Sequence, residues 1–169
     1  MKRVCSYCNK HLGYKEDTSV PGAITHGVCD ECLEWLKGGI DQSLRDFLDS
    51  FNFPVLLIDS NVDVKIANSE AKDLIGKELS EIESFSGGDA IECEFARFPE
   101  GCGNTIHCKT CTIRNTVKDT FKTGKSFKDV PAFQNFYSSE GVIKKYLKIS
   151  TEKFNDMVLL KIEYVNDVK

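Results

Sequence analysis

The chain has 169 residues, 41% of them hydrophobic and 28% charged, with a formal net charge of −4. This is the composition of a folded protein with one ordinary domain and a small appendage, and it excludes a disordered chain. The acidic balance weighs against nucleic acid as the main partner, and no run approaches the roughly 18 apolar residues of a membrane span. The opening MKRVCSYCNK is basic but has no apolar segment, so it does not read as a secretory signal, and the expected compartment is the cytoplasm. In a reducing compartment the eight cysteines are expected as metal ligands or redox thiols, not as structural disulfides.

Residues 1–38 form the first expected unit. Cys5-x2-Cys8 and Cys29-x2-Cys32, twenty residues apart, have the spacing of a four-cysteine zinc site. Each pair makes a tight knuckle whose thiolates point the same way, and two knuckles complete a tetrahedron around Zn²⁺. The intervening Gly13, Pro21, Gly22 and Gly27 suit a short ribbon with turns, too small to fold without such a staple. Four matched thiols take precedence over His11 and His26 as ligands. Four thiolates leave no open coordination position, so the expected role is structural.

Asp30 is placed to cap a short helix through Lys37, which Gly38-Gly39 should break. Residues 39–52 then read as a linking helix, with Ile40, Leu44, Phe47, Leu48 and Phe51 at helical spacing. This stripe either packs on the following domain or pairs with a second copy of the chain, as a homodimer would require.

Residues 53–169 form the second expected domain. PVLLID (54–59) and the alternating Val62, Val64 and Ile66 read as a hairpin. Asn68 or Ser69 should cap a helix carrying Ala71, Leu74 and Ile75, ended by Gly76. SFSGGDA (84–90) reads as a flexible connection. TIRNTVKDTFKTGK is expected as a helix with Ile113, Val117 and Phe121 on one face and Gly124 past its end. Three strands follow, the first an edge or bulged strand because of Pro131. The order implies an α+β fold: a five-stranded antiparallel sheet with helices on one face.

Between these elements lies CEFARFPEGCGNTIHCKTC, with Cys93, Cys102, Cys108 and Cys111 spaced C-x8-C-x5-C-x2-C. Four such thiolates suit zinc or an iron–sulfur cluster, and spacing alone does not separate the two. A third reading is a thiol switch at Cys108-x-x-Cys111. Gly101 and Gly103 allow unusual backbone angles around Cys102. His107 does not complete a C-x-x-C-H haem motif.

Residues 41–165 resemble a PAS sensory domain. The likeness is carried by the leading helix, the PVLLID–VDVKIAN hairpin and an N-x-x-A-x-x-L-x-G passage at Asn68, Ala71, Leu74 and Gly76. The cluster is similar to a PAS subtype with a C-x-x-A segment, here Cys93 to Ala96, followed by Gly101-Cys102-Gly103 and Cys108-x-x-Cys111. The resemblance implies a four-cysteine insert at 93–111 in place of the small helices that line the cofactor cavity. It also implies a sensory role and an unidentified signalling partner. The alternatives are an adaptor with purely structural zinc sites or a thiol-based redox protein. No catalytic residue is expected, since no acid/base constellation or phosphate-cradling loop accompanies the cysteines.

Overall fold

The computed structural model describes residues 2–6, 8–14 and 24–168 and divides into two compact units, Met1–Asp46 and Phe47–Lys169. In the first unit, β1 (Lys2–Cys5) pairs antiparallel with β2 (His11–Tyr14) and parallel with β3 (Ile24–Gly27). The chain turns sharply after β1, where Asn9 takes a left-handed φ of 60° and its amide donates to the Cys5 carbonyl at 3.0 Å. Pro21 and Gly22, expected in the loop, lie outside the described residues.

Helix α1 runs Asp30–Asp49, with Asp30 and Glu31 at its positive end. It therefore continues through Gly38-Gly39, where a break was expected. A glycine weakens a helix interior by about 1 kcal/mol relative to alanine but does not forbid helical angles. The helix-forming segments on both sides carry it through.

The second unit begins with the end of α1 and continues through β4 (Val55–Ile58) and β5 (Val64–Ala67), the expected hairpin. Helices α2 (Ser69–Ile75), α3 (Leu79–Ile82) and α4 (Gly87–Ala90) follow, then short 3₁₀ turns at Glu94–Arg97 and Ile106–Thr110. Helix α5 (Thr112–Thr123) leads into the long strands β6 (Phe127–Ser138), β7 (Gly141–Phe154) and β8 (Met157–Val168). The sheet order is β5-β4-β8-β7-β6, with every pair antiparallel. This is the α+β architecture the sequence implies. Its core joins Leu56, Ile58, Ile149 and Leu160 of the sheet to Ile82 and Val117 of the helices.

Asn68 is the polar centre of this unit and is fully buried. Its Oδ1 accepts from the Val55 and Ala71 amides, both at 2.9 Å, and so caps α2 as expected. Its Nδ2 donates to the carbonyls of Leu48 at 3.1 Å and Phe53 at 2.9 Å. One side chain thus fastens the end of α1, the entry to β4 and the start of α2. Of the predicted apolar stripe, Leu48 is fully buried, Phe51 stacks on Phe53, and Phe47 stays 48% exposed.

Three local readings change or sharpen. Val62 does not extend β5; it takes a φ of 70° in the hairpin turn, its amide donating to the Asp59 carbonyl. SFSGGDA is not a loose connection, because Ser86 caps α4 by accepting from the Asp89 amide. Pro131 sits on the edge strand, next to the register shift between Phe127 and Val130. Helical-layer segments reach both sheet edges. Val64 of β5 exchanges backbone bonds with Ser84 and Phe85, and Tyr137 of β6 donates to the Glu92 carbonyl beside a Cys93–Phe136 bridge.

Candidate metal centres

The fold brings Cys5, Cys8, Cys29 and Cys32 together from the end of β1, the turn after it and the N-terminal end of α1. Their sulfurs all lie within 4.8 Å of one another, with Cys8 Sγ and Cys29 Sγ 3.6 Å apart. A zinc ion with ligands at about 2.3 Å holds tetrahedral sulfurs about 3.8 Å apart, so this spacing fits one ion. The helix start supplies an N–H···S bond from the Cys32 amide to Cys29 Sγ at 3.4 Å, and the Cys29 amide approaches Cys5 Sγ at 3.5 Å. The Cys29 thiol, then burial and the other facing thiols, push Cys32 up to about 12. Thiols so crowded ionise together only when a cation takes up their charge. This cluster could hold a metal. His11 and His26 are not part of it.

The second set is arranged differently. Cys93 lies at the start of the first 3₁₀ turn, Cys102 between Gly101 and Gly103, Cys108 within the second turn, and Cys111 immediately before α5. All four line one cavity of about 180 Å³ whose other walls include Ile58, Ile91, Phe95, Ile113 and Leu160. Among the described residues, only the first set gathers three or more such ligand atoms at ion-binding closeness. The second four thus share a cavity without meeting at one point.

Each of these sulfurs has its own setting. Burial pushes the Cys93 and Cys111 thiols up, with neighbouring cysteines adding to the effect. Burial also acts to raise Cys108, but the Thr105 hydroxyl at 3.2 Å, the Gly103 amide at 3.1 Å and the Arg114 charge outweigh it and leave this thiol below its ordinary value. Gly101 and Gly103 have φ values of 72° and 92°, as their position around Cys102 implied. A β-carbon on Gly103 would lie 2.6 Å from the Arg114 guanidinium carbon, so this glycine admits the arginine as well as the turn.

Two contributors were missed from sequence. The buried Gln134 of β6 donates from Nε2 to Cys93 Sγ at 2.7 Å. Its signal was a polar residue at an inward position, two residues from the buried Ala132. Gly88 of α4 faces Cys102, with Sγ 2.6 Å from where a β-carbon would stand. Nothing local in the sequence marks that contact. His107 is exposed and stacks on Phe95, with ring centroids 3.9 Å apart at 11°.

No helix among the described residues is long and apolar enough to cross a membrane. No known family's sequence profile matches the chain, and no curated protein matches it. Solved structures do. The chain is similar to the PAS domain of nitrogen regulation protein NR(II) from Vibrio parahaemolyticus, at 13% identity and a TM-score of 0.46 over 72% of this chain and 97% of that one. It is similar to the PAS domain of an HTR-like protein from Haloarcula marismortui, at 12% identity and a TM-score of 0.47 over 80% and 99%. A third such structure is the PAS domain of the Cronobacter turicensis quorum-sensing receptor RpfR in complex with BDSF, at 12% identity and a TM-score of 0.46 over 69% and 96%.

Proposed function

We propose that this chain is a cytoplasmic sensory or regulatory protein of the PAS type, without catalytic activity of its own, that binds metal at two four-cysteine sites. Cys5, Cys8, Cys29 and Cys32 hold a structural zinc ion. Cys93, Cys102, Cys108 and Cys111 hold the sensing element, a zinc ion or an iron–sulfur cluster, whose change of state is read by a signalling protein or a second copy of the chain. The observation that carries this reading is the shared cavity: four thiols from four points of the helical layer face the same space above the sheet. A centre bound there touches the start of α5 through Cys111 and strand β6 through Cys93 and Gln134, so its loss loosens two elements at once.

Hydrogen exchange on the full chain, before and after oxidant treatment, tests the reading. Protection should fall in residues 93–123 and be unchanged in β1–β3, and self-association or partner binding should change with it. An adaptor with purely structural metals would show neither effect.

A further inference from the structure

We infer that Cys93, Cys102, Cys108 and Cys111 ligate an iron–sulfur cluster and not a single zinc ion, an inference that rests on the proposed metal-centre reading of this cavity. The chain carries its own internal comparison. One set of four thiols is drawn together within 4.8 Å, the closeness that a single tetrahedral ion requires. The other set stands around a cavity of about 180 Å³ without any three sulfurs meeting at that closeness. A single zinc ion would have to draw four separate chain segments inward, away from packed neighbours that include Ile113 and Ala96, both buried. A polynuclear core is itself the spacer: its irons lie inside and its cysteine ligands outside, so the thiolates remain apart.

The surroundings suit the same group. The cavity walls are mainly apolar, with Ile58, Ile91, Phe95 and Leu160 among them, and the polar atoms close to the sulfurs are chiefly donors. Gln134 Nε2 reaches Cys93 at 2.7 Å, and the Gly103 amide reaches Cys108 at 3.1 Å. The first set has N–H···S bonds too, from the Cys32 and Cys29 amides; on a cluster such bonds stabilise the reduced form and raise its potential. Gly88 clears the space that Cys102 occupies on the cavity wall.

The test is anaerobic purification of the full chain, with zinc, iron and acid-labile sulfide measured for the parent, Cys102→Ser and Gln134→Leu. The expected parent protein is brown, with about one zinc per chain and iron and sulfide in matching amounts. Cys102→Ser should lose most of the iron and sulfide and keep the zinc. Gln134→Leu should keep its iron, so that impaired folding does not enter, and should show a more negative reduction potential. A colourless parent with two zinc ions per chain, one lost in Cys102→Ser, overturns the inference but leaves the metal-centre reading standing. One zinc per chain and no iron, even after anaerobic reconstitution with iron and sulfide, overturns both.

Discussion

Cys102 Sγ lies 2.6 Å from the position a β-carbon on Gly88 would take, and Ala96 Cβ closes the same space at 3.2 Å. A methyl group at residue 88 must therefore displace the cysteine or tilt α4. Gly88→Ala is expected to destabilise the second unit by about 1–3 kcal/mol, the usual cost of overpacking. It should also lower metal content at the second cysteine set severalfold while that of the first set stays constant. Elemental analysis beside urea denaturation checks both.

Asn68 makes four hydrogen bonds from a site without solvent exposure. Asn68→Ala orphans the Phe53 carbonyl and the Val55 and Ala71 amides, leaves the Leu48 carbonyl only its bond from the Phe51 amide, and removes the cap of α2. A loss of about 3 kcal/mol is expected, since orphaned buried groups cost about 1–3 kcal/mol each and water reaches some of them. Amide exchange should quicken at the α1 end and at the start of α2 before it does in β7.

Thr120 of α5 and Thr151 of β7 share a buried hydroxyl–hydroxyl bond of 2.7 Å. Thr120→Val leaves the Thr151 hydroxyl without its partner and should cost about 1–3 kcal/mol. The double variant Thr120→Val/Thr151→Val should recover most of that loss in thermal or urea unfolding. A double variant no better than the single one would show that packing, not the bond, sets the cost.

Asp59 sets an acid limit for the second unit. Partial burial acts to raise its carboxyl, but Lys65 at 2.9 Å and the Asp63 and Asn61 amides hold it below the ordinary value. The charged form is thus favoured in the folded state. Its contribution is complete above the unfolded value near 3.9 and disappears as pH falls through the lower folded value. Asp59→Asn should be less stable than the parent at neutral pH, with the gap closing in acid. Urea midpoints taken from pH 6 to pH 2 measure it.

If the first cysteine set holds the proposed zinc, Cys5→Ser should release it and with it the exchange protection of β1–β3, because so small a sheet lacks a core of its own. Unfolding of residues 47–169 should be unchanged. Hydrogen exchange resolved by segment separates the two outcomes.

Where a local rule matched a local cause, the sequence was a reliable guide. The Asn68 cap, the left-handed Gly76 and Gly124, and the buried Ile113 and Val117 all follow from spacing and residue type within one element. Other features depend on residues distant in the chain. Gln134 meets Cys93 across 41 positions, a pairing set by the sheet and by the path of the insert together. Gly88 reads as a flexible residue until the fold brings Cys102 against it. Gly38-Gly39 weakens the helix without ending it, because the stability of a helix is set by its whole length and not by one pair of residues. Above all, both cysteine sets have four members in the sequence, and only the distances between sulfurs separate a gathered set from a spread one.

The sheet has two outer strands, and each is partly covered by the chain's own helical layer: β5 by Ser84 and Phe85, β6 by Glu92 and Cys93. Open strand edges are templates for pairing with other chains, so these contacts guard the protein against aggregation. On β6 that guard is carried by the first cysteine of the insert. Peeling this segment away uncovers the Tyr137 amide on an edge that already has a stacked Phe133–Tyr146 pair nearby. Solubility is thereby tied to the integrity of the insert, and variants that disturb Cys93 should reveal themselves first as turbidity.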